Sequence, residues 1–172
     1  MSIKIMDNLR RQFSQIYDKY VDKIYRFVYF KVNSQETAED LCSEVFFRGW
    51  KVFQERKKIE NTQAFLYQIA RNLVTDFYRE KAKFQTISTE SAREIVDPQP
   101  NSEEKALINS DVEEVRAVLV GLKEDYQNVI IWHYVDNYSI SEIAKMSDKS
   151  EGAIRVTLHR ALKELKNRVS EA

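Results

Sequence analysis

Apolar residues recur at three- and four-residue steps along the first half of the chain, which is the spacing of amphipathic α-helices. The first stripe contains Leu9, Phe13, Ile16, Tyr17, Tyr20, Ile24, Phe27 and Val28. Asn33 and Ser34 interrupt it, and Ser34 is a suitable N-cap residue. A second helix is therefore predicted to run to about Phe53. Its core side comprises Ala38, Leu41, Val45, Gly49 and Val52.

A charged loop, residues 54–63, separates this helix from a third, which is predicted to end near Lys83. The apolar stripe of the third helix consists of Leu66, Ile69, Ala70, Leu73 and Phe77. At 100° per residue, the opposite side holds Gln68, Asn72, Thr75 and Arg79. A solvated face is normally richer in Lys and Glu. Because these side chains bond base edges and phosphates, the stripe predicts contact with DNA.

Residues 85–110 lack sustained periodicity and contain Pro98 and Pro100, which predicts a flexible or extended linker. Beyond Asp111 the helical pattern resumes, and four helices are predicted. The apolar residues of the first two are Val115, Val118, Leu119 and Leu122, then Tyr126, Val129, Ile130 and His133. The predicted fold is all-α, with a three-helix domain in 1–84, a linker in 85–110 and a four-helix domain in 111–172.

The last two predicted helices are joined by a short polar turn. In the final helix one face is apolar and comprises Ile154, Leu158, Ala161, Leu162 and Leu165. The opposite face is basic and polar. A helix that docks on one side and meets a polyanion on the other is what a helix-turn-helix motif requires. The residues expected to contact DNA are Ser150, Glu151, Gly152, Arg155, Val156, His159, Arg160 and Lys163.

Within that set the chemistry predicts a division of roles. Ser150 is expected to cap the helix, whose first free N–H groups would then face phosphate. Arg155 is suited to guanine, Glu151 to cytosine and Val156 to a thymine methyl group. His159, Arg160 and Lys163 are better placed for the DNA backbone.

Composition limits the alternatives. The 172 residues carry a formal net charge of zero, but basic segments at 1–84 and 145–168 flank an acidic 85–110. A single cysteine, Cys42, excludes an internal disulfide framework or a cysteine-based zinc site. Neither histidine lies in a metal-ligand pattern, so no metal or cofactor is expected. Since no long apolar run or secretory signal is present, a cytoplasmic protein without membrane insertion is expected.

The second predicted helix carries more apolar surface than one core stripe needs. Phe46, Phe47 and Trp50 add to it, while Asp40 and Glu44 share a face at i,i+4 spacing. A wide core stripe is one interpretation of these aromatic residues. The other is an acidic face edged by aromatics, which suits a basic and partly apolar partner.

Three motifs, in this order, resemble extracytoplasmic-function sigma factors of bacterial RNA polymerase. The segment from Ala38 to Trp50 resembles their polymerase-binding helix. The segment from Ala64 to Asp76 resembles the helix that reads the −10 promoter element, and the C-terminal motif resembles the domain that reads the −35 element. The resemblance implies a non-enzymatic sigma factor that binds core polymerase, recognises both elements and helps to open the promoter.

The resemblance also implies partners and sites. The partners are the clamp and flap regions of core polymerase, promoter DNA and an anti-sigma factor. The polymerase-binding set is Asp40, Leu41, Glu44, Phe47 and Trp50. The −10 set includes the loop before the third helix, which the resemblance implies holds a flipped base. It comprises Arg56, Lys57, Lys58, Asn61, Gln63, Phe65, Tyr67, Gln68, Arg71, Asn72, Thr75 and Arg79.

Three positions depart from the family pattern. The helix-turn-helix usually carries Gly and then an apolar residue where Asp148 and Lys149 stand, and Gln is common in place of Ser43. The alternative interpretation is an autonomous helix-turn-helix regulator. It accounts for residues 111–172 but leaves the Asp40–Trp50 face and the 54–63 loop unexplained. An enzyme is a distant third possibility, because no nucleophile–base pair or Gly-rich phosphate loop is present.

Overall fold

The computed structural model describes residues 3–32, 34–55, 58–87 and 106–171. Within these ranges the chain is all-α and contains no strand, which confirms the predicted fold class. Three helices form the N-terminal domain: α1 (Ile3–Tyr29), α2 (Gln35–Gln54) and α3 (Thr62–Ile87). Four form the C-terminal domain: α4 (Ala106–Val120), α5 (Glu124–Ile130), α6 (Ile140–Ser147) and α7 (Glu151–Glu171).

Side-chain caps begin several of these helices, and the sequence predicts those at Ser34 and Ser150. The Ser34 hydroxyl accepts a hydrogen bond from Thr37 N at 3.2 Å, and the Ser150 hydroxyl accepts one from Ala153 N at 3.2 Å. At α6, Ser139 and Glu142 form a capping box. Each cap satisfies backbone N–H groups that the first helical turn leaves without a carbonyl partner.

The N-terminal core lies between α1, α2 and α3. Its centre contains Ile24, Phe27, Val28, Val45, Leu66 and Ala70, none more than 1% exposed. Gly49 allows the helices to approach closely, because a Cβ atom there would lie 3.2 Å from Leu66 Cδ2 and 3.6 Å from the Phe13 ring. Cys42 is buried in this core.

In the C-terminal domain, α5 continues directly into a π-helical turn, Ile131–Val135. The backbone N–H of Asp136 bonds to Ile131 O at 3.0 Å, five residues back. Ile143 of α6 and Ile154 and Ala161 of α7 are core residues at most 1% exposed, and α7 packs against both α5 and α6. The apolar face predicted for the last helix is therefore the face that docks.

The helix boundaries differ from the sequence prediction at the connection between the domains. α3 continues to Ile87 and α4 begins at Ala106, so both helices extend into the predicted linker, 85–110. The remainder, residues 88–105, lies outside the described part of the chain. The predicted domain limits stay predictions.

The two domains pack directly against each other. The rings of Phe27 on α1 and Trp132 on the π-helical turn are stacked, with centroids 5.8 Å apart. Tyr67 on α3 meets Trp132 edge-on, at 5.6 Å between centroids. This contact places the C-terminal domain over one side of α1 and α3.

Candidate polymerase and promoter interfaces

The exposed side of α2 carries one continuous stripe. At 100° per residue, Asp40, Glu44, Phe47 and Lys51 fall within a narrow sector. Phe47 is 52% exposed, and the Lys51 ammonium lies 4.1 Å from the centre of its ring. Arg48 pairs with Glu44 at 2.6 Å, one turn along the helix. The stripe combines acidic groups with an uncovered aromatic ring.

The two remaining residues of the predicted polymerase set flank this stripe. Leu41 and Trp50 are half-buried. Trp50 packs against Phe13 of α1, with ring centroids 5.2 Å apart. It also borders an open apolar groove with Phe13, Tyr17 and Arg10. Phe46, by contrast, is a core residue at 5% exposure.

The polar stripe of α3 is on the surface. Gln68, Asn72 and Arg79 are exposed, and Thr75 is half-buried. The Gln68 amide donates to Asn72 Oδ1 at 2.9 Å, and the Thr75 hydroxyl donates to Arg71 O at 2.9 Å. These groups hydrogen-bond along the helix, and within the described part of the chain the three exposed side chains are not covered by another element.

Three further residues of the predicted −10 set on α3, Gln63, Tyr67 and Arg71, face the C-terminal domain. Tyr67 is 1% exposed. The Arg71 guanidinium lies over the Trp132 ring, 5.9 Å from its centre, and Gln63 Nε2 lies 2.9 Å from Met146 Sδ. Phe65 is half-buried. The predicted −10 residues therefore divide into an exposed group and a group that the second domain covers.

The loop before α3 is described from residue 58. Lys58 is exposed and pairs with Glu60 at 3.6 Å. Asn61 Oδ1 accepts a hydrogen bond from Ala64 N at 3.0 Å, so this side chain caps α3. Arg56 and Lys57 lie outside the described residues.

The predicted −35 residues all lie on one open surface of α7 and its N-cap. Every one of the eight is exposed, and Val156 is 50% exposed. Arg155 and Glu151 pair at 2.9 Å across one turn. The surface is therefore accessible to a duplex while the domains are packed together.

The turn before α7 accommodates both unusual residues. Asp148 adopts the left-handed conformation, with φ 52° and ψ 44°. Asp tolerates this region better than most residues. Lys149 points outward and bonds to Asp125 at 3.0 Å. Where the resemblance implies an apolar contact, this chain therefore has an ion pair on the surface.

A buried polar cluster joins the two domains near the start of α3. We call it the Asp136 cluster, and it contains Asp136, Arg26, Tyr67 and Tyr138. Arg26 Nη2 lies 3.0 Å from the Asp136 carboxylate, and the Tyr67 hydroxyl donates to that carboxylate at 2.9 Å. Burial raises the pKa of Asp136 in spite of these two donors. Burial and the neighbouring carboxylate also raise the pKa of Tyr67.

No motif in the sequence indicates a role for Arg26, Trp132 or Asp136. Their local signal is weak, because their partners are up to 110 positions away in the sequence. Within the described ranges, no group of three or more His, Cys, Asp or Glu is arranged to hold a metal ion. No described helix is both long and apolar enough to cross a membrane.

The chain is similar to known proteins along most of its length. Residues 16–84 match the family Sigma-70 region 2, and residues 112–165 match Sigma-70, region 4. The ECF RNA polymerase sigma factor SigX of Bacillus subtilis is 30% identical over 165 residues, which are 92% of this chain and 84% of SigX. This chain belongs to the ECF RNA polymerase sigma factors.

Further relatives agree with this assignment. The ECF RNA polymerase sigma factor BldN of Streptomyces coelicolor is 29% identical over 158 residues, covering 89% of this sigma factor and 58% of BldN. Among solved structures, RpoE of Bartonella quintana, in complex with the anti-sigma factor NepR, has a TM-score of 0.67 at 21% identity. That comparison covers 93% of this chain and 98% of RpoE, and it shows that the fold is shared.

Family membership establishes the general function. This sigma factor directs RNA polymerase to promoters, as the sequence predicts. The match over residues 16–84 is the part that an autonomous helix-turn-helix regulator would leave unexplained, and nothing in the comparisons supports that alternative.

Proposed function

We propose that this sigma factor uses three separate surfaces for three tasks. The stripe of α2 with Leu41 and Trp50 binds core polymerase through the clamp, and the C-terminal domain adds a contact to the flap. The loop before α3 and the polar side of α3 hold the opened −10 element. The exposed face of α7 reads the −35 element in duplex DNA.

The exposed α2 stripe carries this proposal. Phe47 is exposed on a helix whose other aromatic residues are buried or half-buried, so a partner that covers its ring gains apolar burial. Asp40 and Glu44 beside Phe47 add acidic groups that attract a basic partner and fix its register. Half-buried Trp50 and Leu41 supply apolar rims on either side of the stripe.

A double charge reversal tests the polymerase surface. Asp40→Lys with Glu44→Lys is expected to abolish co-elution with core polymerase, because like charges facing each other across an interface cost several kcal/mol. Helical content should stay nearly unchanged. The lost Glu44–Arg48 pair is substantially exposed, and such pairs contribute about 0.2–1 kcal/mol.

A matched control is available on α1. Asp18 and Asp22 are exposed and one turn apart, so reversing both makes the same change in charge on another helix. This control variant should co-elute normally. If the folded α2 variant also co-elutes normally, the α2 stripe is not the polymerase surface.

The proposed mechanism uses binding energy alone. The sigma factor positions the polymerase and captures unstacked bases, while the polymerase supplies the nucleotidyl-transfer chemistry. Unstacked bases bind where aromatic or Arg planes lie beside a phosphate-binding surface. Tyr67, Arg71 and Lys58 provide such groups around the start of α3.

We also propose a cytoplasmic location, where polymerase and DNA are found, and control by an anti-sigma factor. The solved structure of CnrH contains the cytosolic domain of CnrY, and that of the sigma factor RpoE contains the anti-sigma factor NepR. The similarity of fold makes a comparable partner the expected regulator of this chain.

A further inference from the structure

A small polar cavity, which we call the Trp132 cavity, is lined by residues of α3, α5, the π-helical turn and the turn before α7. The polar part of its lining includes Arg71, Asp125, Asn128, Trp132 and Lys149. Its volume is about 30 Å³. One water-sized particle needs roughly 10–15 Å³, and a cavity that admits benzene measures about 150 Å³. The Trp132 cavity therefore has room for a monatomic ion or for water, but not for an organic ligand.

Three buried polar atoms of this lining have no hydrogen-bond partner in the described part of the chain. They are Arg71 Nε, Trp132 Nε1 and Asn128 Oδ1. Trp132 and Asn128 are each 2% exposed, so bulk solvent does not hydrate these side chains. Buried polar groups in proteins are nearly always hydrogen-bonded. Three unpaired groups around one cavity therefore indicate a site for a particle that bonds to them.

The chemistry of the three groups suits a particle that accepts hydrogen bonds. The guanidinium of Arg71 and the indole nitrogen of Trp132 can only donate. The Asn128 amide carries a donor and an acceptor on the same carbon, and a half-turn about its last bond exchanges them. All three side chains can thus donate to one acceptor.

The charge of the lining favours an anion over water as that acceptor. Asp125 bonds to Lys149 at 3.0 Å, so these two charges offset each other. The Arg71 guanidinium donates to the uncharged Gln68 side chain, and within the described ranges it forms no ion pair with a carboxylate. A charge that is partly removed from water is stabilised by a counter-charge at hydrogen-bond distance. The lining therefore carries one positive charge that is not balanced.

We propose that the Trp132 cavity binds a monatomic anion, chloride in ordinary solution, between Arg71, Trp132 and Asn128. The anion accepts hydrogen bonds from the three side chains and balances the charge of Arg71. The site goes beyond the proposed function, because it does not depend on the promoter contact assigned to Arg71. Since the site exists only in the folded chain, the bound anion stabilises the fold by mass action. Stability therefore depends on the identity of the anion as well as on ionic strength.

Trp132 is a direct reporter of this site in the free full-length chain. The protein has two tryptophans, so Trp50→Phe leaves Trp132 as the sole indole. The probe is bromide, which is close to chloride in size and quenches indole fluorescence on contact. Potassium bromide replaces potassium gluconate at constant ionic strength, so that screening stays equal. We expect quenching that saturates, and added chloride should compete with bromide and restore the emission.

The Arg71 side chain is tested by Arg71→Met in this single-tryptophan parent. The substitution removes a charged donor, so the affinity for bromide should fall roughly ten- to a hundredfold. The matched control is Arg10→Met, which removes the same charge from α1 at a side chain that is 69% exposed. This control should bind bromide as the parent does.

A second variant separates an anion from water and covers a folding defect. Asn128→Asp keeps the shape of the side chain but places a carboxylate in the lining. The carboxylate repels an anion, whereas it still accepts hydrogen bonds from water. Saturable quenching should be lost in this variant. If circular dichroism shows that Arg71→Met has lost helix, Asn128→Asp decides the result in its place.

Thermal unfolding provides a measurement that does not use bromide. At equal ionic strength the parent should unfold at a higher temperature in potassium chloride than in potassium gluconate, because gluconate is too large for the cavity. The difference between the two salts should be smaller in Asn128→Asp. Comparing the two proteins removes the general effects of each salt on stability.

Two results would overturn the proposal. Quenching that rises in proportion to bromide and is indifferent to chloride would show that the cavity holds water. Saturable quenching that persists unchanged in a folded Arg71→Met or Asn128→Asp variant would mean an adventitious ion only, bound elsewhere. Polymerase and DNA are absent from both measurements, so their outcome is independent of the α2 experiment.

Discussion

Arg155 Nη2 lies 2.9 Å from Glu151 Oε2, so two residues proposed to read the −35 element neutralise each other in the free chain. Both are substantially exposed, and such a pair contributes about 0.2–1 kcal/mol. A bidentate contact from Arg to guanine provides about 1–3 kcal/mol of discrimination. The DNA contact therefore outweighs the ion pair, and the pair holds both side chains over the recognition surface without preventing them from binding bases.

From this balance we expect Arg155→Ala to reduce promoter use roughly ten- to a hundredfold and to relax preference only at the −35 element. Transcription from promoters randomised separately at each element measures this. Arg168, paired with Glu164 on the same helix but outside the proposed set, provides the control Arg168→Ala. An equal loss on every promoter would make Arg155 a phosphate contact, and a change confined to the −10 element would exclude the domain assignment.

Two substitutions of Asn61 distinguish a structural role from a role in recognising bases. Its side chain caps α3, so Asn61→Ala is expected to cost about 0.5–2 kcal/mol of stability, whatever DNA it contacts. Asn61→Ser keeps a capping oxygen but removes the amide that would bond a base. We expect the Ser variant to unfold at the same temperature as the unmodified protein. It should lose its preference among the bases of the −10 element. If the preference among −10 bases is unchanged, Asn61 acts only as the N-cap of α3.

The left-handed residue Asp148 predicts a stabilising substitution. Glycine adopts φ near 52° without the steric cost that a Cβ atom brings. Asp148→Gly should therefore raise the free energy of unfolding by about 0.5–1 kcal/mol, measured by urea denaturation. Asn137→Gly is the companion test, since Asn137 has φ 57°. Destabilisation by Asp148→Gly would mean that the Asp side chain makes a compensating contact.

Lys31 predicts an unusual dependence of stability on pH. It is 2% exposed, and burial lowers its pKa to about 8 from 10.5. The charges acting on it are Arg71 of α3 and Glu124 and Asp125 of α5. Below pH 8 both the folded and the unfolded chain hold the proton. Between pH 8 and 10.5 only the unfolded chain does, so the contribution of Lys31 to stability rises with pH.

Lys31→Met should remove this rise and stabilise the chain at pH 7, by up to about 3 kcal/mol. Urea unfolding at pH 7, 8 and about 9.5 measures the difference between the two proteins. The series stops there because tyrosines begin to ionise near pH 10. Parallel stability curves for the parent and the variant would show that Lys31 keeps its charge when buried.

Local patterns predicted most of each domain correctly. Ile154, Leu158 and Ala161 are buried on the predicted face of α7, and the Ser34 and Ser150 caps form as expected. These features depend on neighbours within one or two helical turns. Such contacts are visible in the spacing of residue types along the chain.

What the sequence did not predict depends on distant contacts. Tyr67 and Val74 are at most 6% exposed, whereas Ile69 and Phe77 of the predicted stripe are only half-buried. α3 therefore has a second buried side, which no single apolar stripe anticipates. The partner of Tyr67 is Asp136, on an element 69 positions away. Spacing alone does not pair residues so far apart.

The π-helical turn, Ile131–Val135, has a consequence for the ancestry of this arrangement. A π-turn accommodates one residue more than an α-turn, and each α-helical residue advances by about 100°. Deleting one residue here would rotate Asp136 away from Arg26 while leaving Trp132 in place. The interdomain contact thus depends on the number of residues in this turn as much as on their types. Among relatives, its gain or loss is expected to be recorded as a one-residue insertion or deletion between Ile130 and Tyr138.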